Sequence, residues 1–94
     1  MYYVYILANG NNKIVYTGVT NNLEHRIFEY KRPVAGSSLI EDNMDKLVYF
    51  DSAADAKEAI EREKQIRGWI RRRKNKLVET INPNWEDLSG RWRK

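Results

Sequence analysis

The 94-residue sequence predicts a small α+β domain: one three-stranded, mainly antiparallel sheet flanked by helices, in the order β-β-α-β-α-α. Three observations carry that expectation. Two runs of β-branched and aromatic residues, Met1 to Ala8 and Lys13 to Gly18, surround the patch Asn9-Gly10-Asn11-Asn12. A third apolar run, Lys46 to Asp51, stands alone in mid-chain. Beyond it the chain is rich in Ala, Glu, Lys and Arg, with apolar residues returning at helical spacing.

The first two runs read as a hairpin, because Asn and Gly accept the positive φ angles of a tight reversal. Four of the six tyrosines, Tyr2, Tyr3, Tyr5 and Tyr16, lie in these eighteen residues. Tyr3 and Tyr5 share one strand face and Tyr2 takes the other. Strands enrich Tyr in any case, so half-buried rings with hydrated hydroxyls are the plain reading. Thr20-Asn21-Asn22 offers caps for a helix from Leu23 to about Tyr30 or Lys31. On it Leu23, Arg26, Ile27 and Tyr30 share a face.

Residues 31–38 read as a loop, and Ser38 to Asn43 as a short irregular turn within an acidic patch of Glu41, Asp42 and Asp45. After the third strand, Ser52 is expected to cap a helix from Ala53 to about Arg67. Its inward stripe would be Ala56, Ala59, Ile60, Ile66 and Ile70, with Glu63 in the middle. A carboxylate on a buried face needs a partner, either a core-edge arginine such as Arg26 or a functional role as metal ligand or general base. Gly68 ends that helix. A last one, about Arg71 to Ile81, would be anchored by Ile70, Leu77, Val78 and Ile81, with its basic residues outward. Residues 1–82 are expected to form the domain. Residues 83–94 would be a tail whose first part packs back through Trp85 and whose last residues are mobile.

Composition narrows the function. The chain has no cysteine and one histidine, His25, which excludes thiolate and clustered-histidine metal sites and argues against a Ser-His-Asp hydrolase. No apolar run approaches the ~20 residues of a membrane span, so a soluble, cytoplasmic protein with no membrane partner is expected. No obligate protein partner is evident. The net charge is +4, and eight of the 17 basic residues fall between Arg62 and Lys76. Clustered positive charge suggests a polyanion, nucleic acid first; a solvated helix face is the plain alternative.

Taken together, the hairpin tyrosines, Arg26 with Tyr30, buried-face Glu63 and the basic last helix resemble the GIY-YIG nuclease family. Tyr3-Val4-Tyr5 stands in the place of Gly-Ile-Tyr and Tyr16-Thr17-Gly18 in the place of Tyr-Ile-Gly. Arg26 falls eight residues after Gly18, Tyr30 four residues later, and Glu63 on the helix after the third strand. The small single-domain members, of the UPF0213 type, are the nearest in pattern: Gly18-Val19-Thr20, Leu47-Val48-Tyr49, Arg62 to Trp69 and Asn82 to Leu88 all match it. The chain departs in having Val19 where larger members carry Lys, and an acidic rather than basic loop before the third strand.

The resemblance implies hydrolysis of DNA phosphodiester bonds, double-stranded or branched and including single strands, with low sequence specificity. It implies one divalent metal, Mg²⁺ or Mn²⁺, with Glu63 as the sole protein ligand. Arg26 would clamp the phosphate, Tyr5 or Tyr16 would act as general base, and Tyr30 would orient water or phosphate. An unperturbed phenol titrates near ~10, so a tyrosine base would require a lowered pKa. Arg67, Arg71, Arg72, Arg73, Lys74 and Asn75 would contact the DNA. The competing reading is a non-catalytic nucleic-acid-binding module of the same fold; a purely structural polar cluster ranks third.

Overall fold

The computed structural model describes residues 1–31, 44 and 46–92. The expected loop at 31–38, the turn at 38–43 and the mobile last residues lie wholly or largely outside them.

Strands β1 (Tyr2–Ala8) and β2 (Val15–Thr20) form the hairpin. Its turn is made by asparagines. The Asn9 backbone N–H donates to the Ile14 carbonyl at 3.2 Å, and Ile14 N–H returns to Asn9 Oδ1 at 3.0 Å. Asn12 takes the left-handed conformation with φ 61°, which Asn tolerates better than most residues. The second strand starts two residues later than Lys13 and runs on to Thr20, because these asparagine contacts lengthen the turn.

Strand β3 (Lys46–Ala53) pairs with the other side of β1, giving the antiparallel order β2-β1-β3. Ile6 faces Tyr49 while Leu7 faces Leu47, so Val48 is an extra residue in β3. This bulge lets Val48 and Tyr49, adjacent in sequence, both join the core on the same side.

β1 is buried on both faces. Val4, Ile6 and Ala8 meet Ala59 and Ile66 of α2 (Ala56–Arg67) and Val78 of α3 (Arg71–Glu79). Tyr5 and Leu7 point the other way, onto Leu23 and Ile27 of α1 (Leu23–Lys31), with Met44, Leu47 and Leu88 completing that layer. The two cores divide the tyrosines as period-two alternation requires, Tyr2 on one side and Tyr3 with Tyr5 on the other.

Asn22 caps α1, its Oδ1 accepting from His25 N–H at 3.1 Å. α2 departs from expectation. Ser52 stays in β3, and Asp55 is the cap, accepting from Glu58 N–H at 2.8 Å. Both residues are good caps, and pairing of β3 with β1 through Ala53 decides between them. Ala59, Glu63 and Ile66 are the buried residues of α2; Ile60 and Ile70, expected inside, are exposed, as is Ile81 beyond α3. α2 packs against β1 and β2, so only a narrow stripe meets the sheet.

The C-terminal segment packs against the rest of the chain. Asn82 is buried and donates to the carbonyls of Val48 and Glu86 while accepting from Glu86 N–H. Trp85 packs on the α2–α3 core, and a 3-10 helix, Leu88–Trp92, inserts Leu88 into the α1 layer. Among the described residues no helix is long and apolar enough to cross a membrane.

Candidate functional site

The site is built round the free edge of β2. Tyr5 and Gly18 face each other across the β1–β2 ladder, and Leu7 faces Tyr16 two positions on. Facing residues share a side of the sheet, so both phenols project toward α1. There Tyr30 joins them. The three rings form a triangle, with centroids 6.5 Å apart for Tyr5–Tyr16 and Tyr5–Tyr30 and 6.4 Å for Tyr16–Tyr30.

Gly18 makes room for this cluster. A Cβ built there would stand 2.5 Å from the Tyr5 hydroxyl oxygen and 2.6 Å from its Cζ. The end of the Tyr5 ring therefore occupies the space any other residue at 18 would need. Counting the hairpin register across the asparagine turn would have paired these two residues from the sequence alone.

Arg26, half-buried on α1, lies near the phenols of Tyr5 and Tyr30. Its burial opposes the charge, but the adjacent phenol oxygens outweigh it and raise its pKa above the ordinary value. Its Nε also sits 3.4 Å from Glu29 Oε1, whose other oxygen lies 3.4 Å from His25 Nε2. Arg26 does not pair with Glu63. That carboxylate, 8% exposed, has Arg67 as its partner one helical turn on, Nε to Oε2 at 3.4 Å. The i,i+4 spacing was the signal for this pair.

Glu63 rises from α2 against the opposite side of the sheet from the three phenols, and the two groups meet round the edge. A cleft of about 290 Å³ is lined by Tyr16, Thr17 and Gly18 of β2, by Ile60, Glu63 and Arg67 of α2, and by Lys74 of α3. Glu63 is close enough for its charge to act on Tyr16.

The phenols behave opposite to the expectation for a tyrosine base. Burial, then the neighbouring Tyr30, pushes Tyr5 far above the usual phenol range, and Arg26 only partly opposes this. Burial and Tyr30 raise Tyr16 as well. Burial disfavours a phenolate more than one arginine favours it. The Tyr5 hydroxyl is buried beside the Tyr30 phenol and the Arg26 guanidinium, and the buried Thr17 hydroxyl on the cleft wall has no hydrogen-bond partner among the described residues.

These atoms define what the site could hold. Among the described residues no three His, Cys, Asp or Glu side chains gather to bind a metal. The donor set is one buried carboxylate with hydroxyls nearby, all hard oxygen. That fits a cation of the Mg²⁺ kind, which keeps most of its water, and not a soft or imidazole-bound one.

The basic residues of α3 are divided by their contacts. Arg71 and Asn75, expected to face DNA, are bonded to each other, Arg71 Nε donating to Asn75 Oδ1 at 2.7 Å. Arg71 also donates to the carbonyls of Asn12 and Lys13, clasping the hairpin turn to α3, and lies over the Trp85 ring. Arg73 stacks on Trp69 at 4.0 Å, with Arg62 5.5 Å from the same ring. Arg72 is exposed, and Lys74 and Arg67 line the cleft.

Residues 1–77 match the family profile described as the GIY-YIG catalytic domain. The chain is similar to a UPF0213 protein of Clostridium perfringens, 36% identical over 80 residues and covering 85% of each chain. It is also similar to the solution NMR structure of a UPF0213 protein from Bacillus halodurans, with a TM-score of 0.58, 26% identity and 95% of each chain covered.

Proposed function

Since the chain belongs to the GIY-YIG catalytic-domain family, we propose that it is a metal-dependent endonuclease that hydrolyses DNA phosphodiester bonds with low sequence specificity. One observation carries the reading: Tyr5, Tyr16, Arg26, Tyr30 and Glu63, from four separate elements, converge round the edge of β2. A structural core has no need to bring a carboxylate, a guanidinium and three phenols to one open edge.

In this reading Glu63 would hold one Mg²⁺ or Mn²⁺. The cation supplies charge stabilisation for the phosphate and the leaving oxygen. Arg26 binds a non-bridging phosphate oxygen and offsets charge that builds there. Its Nε is turned toward Glu29, and the Tyr5 and Tyr30 phenols stand beside the guanidinium, so a bound phosphate would share it with them. Tyr5 keeps its proton and is a hydrogen-bond donor, since its phenol is buried and pushed far up. Tyr16 is 40% exposed and lines the cleft with Glu63, so it is the better placed of the two to contact the attacking water; to take that water's proton it must first lose its own, which burial and Tyr30 oppose and a cation on Glu63 would favour. Tyr30, in contact with both rings, orients them.

Arg67, Arg72, Arg73 and Lys74 then supply the backbone contacts, while Arg71 and Asn75 hold the hairpin that carries Tyr5 and Tyr16. Three arginines open α3, with no acidic residue in its first turn. Positive charge at a helix N-terminus is unfavourable on its own, and a bound polyanion would offset it.

The test is to incubate supercoiled plasmid, single-stranded DNA and branched DNA with the protein and Mg²⁺ or Mn²⁺, beside Glu63→Ala. Cleavage by the wild type and loss in the variant is the expected result. Cleavage unchanged in Glu63→Ala refutes the metal assignment. Salt-dependent binding with no cleavage of any substrate assigns the chain to the non-catalytic class.

A further inference from the structure

The ion pair inside the cleft is unequal. The Glu63 side chain is 11% accessible and fixed in the packed face of α2, whereas the Arg67 side chain is 64% accessible. Their closest approach, 3.4 Å, is longer than the about 2.7–2.9 Å of a tight charge-assisted hydrogen bond. Arg67 therefore reaches in from solvent and covers a carboxylate that cannot move toward it. An ion pair with one member so exposed is weak and readily exchanged.

A guanidinium and a divalent cation cannot both neutralise the same carboxylate oxygen without repelling each other. Phosphate, however, suits the guanidinium fork as well as carboxylate does. Arg67 and Glu63 line one cleft with Lys74, so a small rotation of the Arg67 side chain moves its head from the carboxylate to anything anionic lying there. Resting on the reading that Glu63 holds a divalent cation, we propose that Arg67 is a displaceable placeholder. It covers Glu63 while the cation is absent, leaves when the cation arrives, and turns to a phosphate of the nucleic acid in the same cleft. Cation binding and phosphate binding are thereby coupled through one side chain.

The test needs no turnover. Mn²⁺ is titrated into the protein alone by calorimetry, for wild type, Arg67→Ala, Arg67→Gln, Lys74→Ala and Glu63→Gln. Removing the placeholder should tighten Mn²⁺ binding by about 1.5- to fivefold in both Arg67 variants, the range of a partly exposed ion pair. Lys74→Ala, which removes a cleft charge that does not touch Glu63, should change it less. Unchanged or weaker binding in the Arg67 variants overturns the proposal, and so does an equal gain from Lys74→Ala, which reports only the general field. Wild-type affinity in Glu63→Gln refutes the metal site itself, a separate failure.

The second readout is the salt dependence of binding to a short DNA duplex, with Ca²⁺ or with EDTA. Arg67→Ala should flatten the log–log slope by about 0.9 in Ca²⁺, one phosphate contact, and leave it unchanged in EDTA. An equal loss in both conditions means that Arg67 holds phosphate regardless of the cation, which removes the coupling.

Discussion

Gly18→Ala tests whether the clearance above Gly18 is what admits Tyr5. In an ordinary strand the exchange stabilises by about 0.5–1 kcal/mol, because glycine loses the most backbone freedom on folding. Here the added methyl would lie 2.5 Å from the Tyr5 hydroxyl oxygen, 2.6 Å from Cζ and 3.1 Å from Tyr16 Cε2. The Tyr5 ring is wholly buried against Leu7, Leu23 and Ile27 and has little room to retreat. Overpacking of that kind costs about 1–3 kcal/mol. The steric cost exceeds the entropic gain, so a net loss of about 1–2 kcal/mol is expected, or roughly 5–15 °C in Tm for a domain this small.

The cause is isolated by a double-mutant cycle with Tyr5→Leu, which removes the outer ring atoms. Urea titration followed by circular dichroism gives all four stabilities. In the Tyr5→Leu background the cost of Gly18→Ala should vanish or turn into a gain, a coupling of about 1–3 kcal/mol. A Gly18→Ala protein as stable as wild type refutes the reasoning. So does a cost that persists undiminished in the Tyr5→Leu background, which would mean that the backbone rather than the phenol requires glycine.

Arg26→Ala should lower the cleavage rate by about 10²-fold or more, the usual cost of one charge-stabilising donor, with folding retained by circular dichroism. The raised Tyr5 pKa carries a pH dependence: above the ordinary 10.0 the unfolded chain releases a phenol proton that the folded chain keeps. Stability therefore falls as pH rises past that point, by about 1.4 kcal/mol per unit for one such phenol. Urea midpoints at pH 9 to 11 should show this decline, shallower in Tyr5→Phe, which lacks the titrating hydroxyl. Arg71→Ala should cost about 1–3 kcal/mol and speed amide exchange in the Asn9–Ile14 turn, with the salt slope of DNA binding unchanged. Arg72→Ala should do the reverse, lowering that slope by about 0.9 at constant stability. Asn82→Ala, leaving the Val48 and Glu86 groups without their buried partner, should cost about 1–3 kcal/mol by chemical denaturation.

What the sequence made legible was local or periodic. The asparagine turn, the shared face of Leu23, Arg26, Ile27 and Tyr30, and the burial of Glu63 each follow from spacing of a few residues. Contacts between elements did not follow. Glu63 was open to an arginine on another helix, and only the packing of α2 decided for Arg67, four residues along. Arg71 looks like any other basic residue of α3, yet its contacts run to Asn12 and Lys13, 59 and 58 residues away. Ile60, Ile70 and Ile81 fit a helical stripe, but Ile60 falls outside the narrow face of α2 that meets the sheet, and Ile70 and Ile81 flank α3 at its two ends, where they are exposed. The phenol pKa values were hardest of all to foresee, because their direction depends on how deeply the rings sink beside one arginine.

The strand that carries Tyr16 and Gly18 is also one whose backbone, among the described residues, pairs with no strand on its outer side. An open strand edge invites a second molecule to add to the sheet, and charged side chains placed along it discourage that pairing. Glu63, Arg67 and Lys74 stand along this border. If these groups receive DNA as proposed, the charges that bind the polyanion would also disfavour the addition of a second copy's strand to this edge.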